Sequence, residues 1–177
     1  MKITTKQIVL IALFIAIGIV LPMAFHAVGS DLAKVVSPIH IPALIAGALM
    51  GAVPGLFVGV LTIVASSLFT GMPPFPYAFV MMAEVGSYGL FAGLFAKFLT
   101  KDAIGTVVST ALAMLAGRVI YGFAQYAFLA AKAPDKAYTL QAWVTSMFVK
   151  GLPAIICHII LVPIVVLILR RTVRDFN

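Results

Sequence analysis

Long apolar runs, separated by short clusters of glycine, proline and charge, set out the chain, and each run has the length of a helix rather than a strand. The first covers Thr5–Phe25. Thr4 or Thr5 can cap its start, and Pro22 falls near its end, where a membrane helix tolerates a kink. His26–Val36, with Gly29, Ser30, Asp31 and Lys34, reads as a connection. Ser37-Pro38-Ile39-His40-Ile41-Pro42 opens a second helix that ends near Gly51, and Val53-Pro54-Gly55 turns the chain into a third that runs to Phe69. Both are short for full spans, so tilt, partial re-entry or burial by neighbours is expected. Thr70–Tyr77 breaks the chain with Pro73, Pro74 and Pro76. A fourth helix follows over Tyr77–Phe98, and a fifth, the longest, over Ile104–Ala131. Lys132–Lys136 is the most hydrophilic loop. A sixth helix starts between Leu140 and Pro153 and ends near Leu169; Gly151-Leu152-Pro153 predicts a kink or a short interfacial helix before it.

Small residues pattern these helices for close approach. Ala12-x-x-x-Ala16, continued by Gly18, makes one side of the first helix smooth, for a neighbour in the same chain or for another protein. Gly47, Gly51, Gly55 and Gly59 recur every four residues, although Pro54 interrupts any single helix through them. Gly86, Gly89 and Gly93 do the same on the fourth helix.

Composition names the solvent. Of 177 residues 63% are hydrophobic and 10% charged, and the mean hydropathy is +1.19, values that only a bilayer accommodates. The expectation is an all-α integral membrane protein, one compact domain over 1–177 with six transmembrane helices. Almost nothing remains for an extramembrane domain. The net charge of +7 is scattered over segment ends, which argues for membrane orientation and against a nucleic-acid surface. Six crossings put Lys2, Lys6, Lys97, Lys101, Arg170, Arg171 and Arg174 on the side of both termini, against Lys34, Lys132 and Lys136 opposite. That excess places both termini in the cytoplasm of a cell-membrane protein. Lys2 and Lys6 before an apolar core resemble a signal peptide, but no clean cleavage site follows, so a retained first helix is expected. Cys157 stands alone and forms no internal disulfide.

Ionisable groups inside a membrane are costly unless paired or facing water, so each is a functional candidate. Glu84 lies about 10 Å below the Thr70–Tyr77 loop at 1.5 Å per residue, with Tyr88 one turn on. Arg118, Tyr121 and Gln125 form a polar stripe on the fifth helix. Trp143 approaches from the outer side of the sixth, and His40 opens the second. Glu84 and Arg118 either pair to hold two helices together or hold a ligand. Gln125, Trp143 and Tyr88 suit a flat, hydrogen-bonding ligand. His40 and His158 also read as core or interface histidines, and no ligand spacing supports a metal. The Thr70–Tyr77 break carries Met72, Phe75 and Tyr77 where a solvated loop would carry polar residues, so it reads as a lid on that ligand, with a passive connector at the membrane interface as the alternative. Phosphate-binding glycine loops with Lys-Ser/Thr, HExxH and GxSxG are absent, and nothing in the chain points to an enzyme.

Assembled, the pattern resembles the substrate-binding S-component of an energy-coupling-factor vitamin importer. His40-Ile41-Pro42-Ala43-Leu44, Leu68–Pro74, Ala113–Arg118 and Gly151–Ile155 are most similar to the S-components assigned to α-ribazole, a cobalamin precursor. The resemblance implies a vitamin or precursor bound from outside, and no cofactor in this chain. It also implies partners: a membrane coupling subunit docked on Ala12 and Ala16, and two cytoplasmic ATPases that use ATP. His26–Val36 and Thr70–Tyr77 would gate the pocket, and the whole subunit would topple in the bilayer to release its ligand. Other flat heterocycles, such as a thiamine-precursor pyrimidine, suit the same residues, and a structural membrane protein without ligand is the alternative from another class.

Overall fold

The computed structural model describes residues 4–29, 33, 36–132 and 139–172, apart from the Lys150 side chain. Asp31, Lys34, Arg174 and most of the Lys132–Lys136 loop lie outside the described residues. All regular structure among those described is helical: α1 (Thr5–Val28), a 3-10 turn (Pro38–His40), α2 (Ile41–Met50), α3 (Ala52–Thr70), α4 (Ala78–Phe98), α5 (Ala103–Lys132), α6 (Leu140–Val144), a π-helical turn (Thr145–Lys150) and α7 (Leu152–Thr172). α1 extends three residues past the expected Phe25. Thr4 caps it, accepting from the Gln7 amide at 3.3 Å while the Gln7 side chain accepts from the Thr4 amide at 3.1 Å.

Of the six expected spans, five helices (α1, α3, α4, α5 and α7) are long and apolar enough to cross a membrane. α2 is not. Every residue from Ile41 to Ala48 is buried, so this helix is apolar all round because it lies at the centre of the molecule, ringed by α1, α3, α4 and α7. α1 is its opposite. Its mean hydropathy is 3.0 and only 11% of that window is buried, against 56% for α4; lipid replaces protein around most of it.

The glycine series divides between two jobs. A Cβ at Gly47 or Gly55 would overlap the main chain of Gly89, and one at Gly59 would overlap that of Val85. These glycines let α2 and α3 lie backbone-to-backbone on α4, which centres the core. A Cβ at Gly51 would meet open space; what needs glycine there is the φ of 101°, which makes the joint between α2 and α3. Gly18 also leaves the expected pattern. It is buried against the Thr62 side chain of α3, while Ala12 and Ala16 are exposed. Residues two apart on a helix point in nearly opposite directions, so Gly18 does not continue the Ala12–Ala16 face.

Arg170 also has a structural role. It is 7% exposed and donates to the carbonyls of Ala48 at 2.9 Å and Lys101 at 3.2 Å, and to the Thr106 hydroxyl at 3.1 Å. One guanidinium thus ties the ends of α2, α5 and α7 together.

Candidate functional site

At the other end of α2 the helices enclose a polar cavity of about 270 Å³. Five elements supply most of it. The turn before α2 brings Ser37 and His40, α4 brings Glu84 and Tyr88, α5 brings Arg118 and Tyr121, and the π-turn and α7 bring Ser146 and His158. Tyr77 and Met81 stand towards the Thr70–Tyr77 loop, with Met147, Gly151 and Ala154 opposite.

Glu84 is 7% exposed. Its Oε1 accepts from the Tyr88 hydroxyl at 2.9 Å, and its Oε2 lies 3.7 Å from His40 Nε2. No ion pair joins Glu84 to Arg118 among the described residues; the helix-pairing reading fails, and the two face a common space instead. Arg118, 6% exposed, donates to the Met147 carbonyl through Nη1 and leaves buried Nε without a hydrogen-bond partner. Gly151 leaves it room: a Cβ there would stand 2.8 Å from Nη1 and 3.2 Å from Nη2. Gly117 does the same for the Tyr88 ring, whose place a Cβ would take.

His158 is the residue that sequence reasoning set aside. It is 1% exposed, its ring centroid lies 5.8 Å from that of His40, and neither ring nitrogen has a hydrogen bond; the main chain of Val36 and Ser37 lies beside the ring outside hydrogen-bond geometry. The rule that flagged Glu84, an ionisable group deep in an apolar helix, flags His158 equally.

Other expected site residues lie elsewhere. Trp143 donates from its indole to the Arg118 carbonyl at 3.2 Å, rests on Gly122 and meets Phe148 edge-on. It therefore braces α6 against α5 and borders an apolar groove, with Val119 and Phe123, outside the cavity. Gln125, on α5 beyond Tyr121, has a buried Oε1 without a partner but does not line the cavity. The break after α3 is a compact knot: Ser66 and Ser67 hydroxyls donate to the Met72 and Pro73 carbonyls at 2.6 and 2.7 Å, and the bonds before Pro73 and Pro76 are cis. Met72 is 63% exposed and Phe75 is 48% exposed, with the Phe75 ring packed on Phe79 outside the cavity. Of the three expected lid residues only Tyr77 lines the cavity, and its hydroxyl meets that of Tyr121 at 2.9 Å. Burial raises the Tyr77 pKa, with the Tyr121 bond opposing, so the phenol is neutral at physiological pH.

The arrangement collects buried donors and acceptors that the protein leaves unused, around a space large enough for a small molecule. A binding pocket has that form; a nucleophile activated by a base does not occur in it. Residues 6–166 match the family model described as ECF transporter, substrate-specific component. The chain belongs to that family. No curated protein and no solved structure matches it. The S-component is accordingly a multi-pass membrane protein and the substrate-binding part of an importer, in a family of transporter components rather than enzymes. Family membership associates it with the other subunits of such an importer and with a small-molecule substrate.

Proposed function

We propose that this S-component captures a flat, hydrogen-bonding vitamin or precursor in the cavity beneath Tyr77, and that α-ribazole is the ligand to try first. One observation carries the reading: His40, Glu84, Arg118 and His158, each less than a tenth exposed, converge on one cavity, and His40, Arg118 and His158 leave buried nitrogens there without a hydrogen-bond partner. Buried polar groups cost stability unless paired, and a ligand that pairs them explains their retention. Tyr88 and Tyr121 supply aromatic walls for a planar ring. The choice of α-ribazole is supported by the resemblance of His40–Leu44, Leu68–Pro74, Ala113–Arg118 and Gly151–Ile155. Tyr77 and Tyr121 serve as the latch of the outer side. Ala12 and Ala16, exposed on the most lipid-facing helix, fit docking on a membrane coupling subunit whose ATPases supply the work. Both termini lie in the cytoplasm and the short α2 completes a sixth crossing with its flanking turns.

Equilibrium binding of α-ribazole to the purified subunit alone tests this. Nanomolar affinity, lost in Arg118→Met and without ATP hydrolysis, is the expected result. Wild type that binds neither α-ribazole nor the aminopyrimidine precursor of thiamine would overturn the substrate assignment.

A further inference from the structure

The hydrogen bond at the other side of the His40 ring fixes what Glu84 faces. His40 Nδ1 lies 2.9 Å from the Ser37 carbonyl oxygen. A carbonyl only accepts, so Nδ1 carries hydrogen. In a neutral ring Nε2 is then a bare lone pair, yet it points at the Glu84 carboxylate 3.7 Å away and has no other partner. Two acceptors face each other there, and only a proton or a donor from outside reconciles them. The 3.7 Å separation is also longer than a direct charged hydrogen bond of about 2.7–2.9 Å. One donor atom seated to the side can lie about 2.9 Å from both.

We propose that Glu84 Oε2 and His40 Nε2 form a two-acceptor pincer that grips a paired hydrogen-bond donor on the ligand, in exchange for a proton held on His40 while the pocket is empty. The group gripped is a primary aromatic amine or a vicinal sugar diol; both present two hydrogens at the required spread. While the pocket is empty, the proton that reconciles the two acceptors sits between Nε2 and Glu84 Oε2, since Nδ1 is already committed to the Ser37 carbonyl. On binding, the ligand donates one hydrogen to each acceptor, Nε2–H leaves to solvent, and one proton is released per ligand. Several charged and titratable groups surround the pair. Glu84 and Tyr88 face His40 from α4, His158 from α7 and Arg118 from α5, and His26 stands on α1 across the adjoining cleft. Among these only Glu84 is a carboxylate, and Tyr88 already donates to its other oxygen. This assignment rests on the cavity being the ligand site.

Calorimetric titration of the full chain in lipid nanodiscs tests it. The probes are α-ribazole, a diol donor, and 4-amino-5-hydroxymethyl-2-methylpyrimidine, an amine donor, in buffers of different ionisation heat. The probe that binds is expected to release about one proton, read as a binding heat that follows the ionisation heat of the buffer; Glu84→Gln abolishes that release. Binding whose heat is independent of buffer overturns the pincer. Nitrogen-15 histidine spectra of the ligand-free wild type decide the matter independently of either probe and of how any variant folds. A doubly protonated His40 supports the pincer; a singly protonated ring beside ionised Glu84 overturns it. Should neither probe bind while His40 is doubly protonated, the ligand assignment of the preceding section fails and the pincer stands.

Discussion

At the scale of single residues, stability and ligand grip are divided between different side chains, and substitution separates them. Gly89 gives α3 its contact with α4, because a Cβ there would overlap the Gly55 main chain. Gly89→Ala should therefore cost about 1–3 kcal/mol through overpacking, read as a lower unfolding temperature in detergent. Arg170→Met strands the Ala48 carbonyl, one of three acceptors it now serves. Its expected cost is likewise about 1–3 kcal/mol, and a ligand affinity unchanged in the fraction that folds would place the residue in the scaffold alone. Tyr77→Phe removes a hydroxyl pair at 2.9 Å but no packing. With one neutral hydrogen bond worth about 1 kcal/mol, ligand release should speed up about fivefold. Phe75→Ala should leave release unchanged, since that ring rests on Phe79 outside the cavity; a large effect there would return the lid to the whole loop.

At the scale of elements, the periodicity of apolar runs and the placing of Gly and Pro were enough to lay out the helices, because in a membrane a helix is the one economical way to satisfy the backbone. The exceptions have physical causes. α2 reads as a short span because its sequence is apolar all round, yet that character reflects burial among the neighbouring helices. The cavity was legible where one helix carries its own polar stripe, as with Glu84 and Tyr88 or Arg118 and Tyr121. It was not legible where residues far apart in sequence meet. His158 joins the site only because α7 crosses beside the turn that holds His40, and Trp143 leaves it because Gly122 receives its indole on the outer side of α5. Between α4 and α5, Asp102 accepts from the Thr100 hydroxyl at 2.6 Å and the Gly105 amide at 2.8 Å. These bonds, the Thr100 hydroxyl first, hold its pKa below the ordinary carboxylate value. A depressed carboxylate adds stability that is present above its unfolded pKa and is lost as pH falls through the folded one. Unfolding temperatures of Asp102→Asn should therefore fall less steeply on acidification than those of wild type.

At the scale of the whole molecule, the core of α2, α3 and α4 is tightly packed at its glycine contacts, and α1 packs on it through a narrow buried strip that includes Gly18 while most of its apolar surface stays exposed. Such a body suits a subunit that moves as a unit against a partner, with the proposed ligand pocket and the proposed docking face on different elements. Ala16→Trp should accordingly abolish transport in the assembled importer while leaving ligand affinity of the isolated subunit intact, a split that uptake and binding assays on one variant would read. The claim beneath all of this is that the cavity walled by His40, Glu84, Arg118 and His158 holds the transported molecule. Native mass spectrometry of the subunit released from its own membrane tests that most directly. The account predicts a small-molecule adduct at one per chain on wild type, absent from a folded Arg118→Met variant. An adduct retained equally by the variant, or a wild type that carries none even after incubation with α-ribazole and the aminopyrimidine, would contradict it.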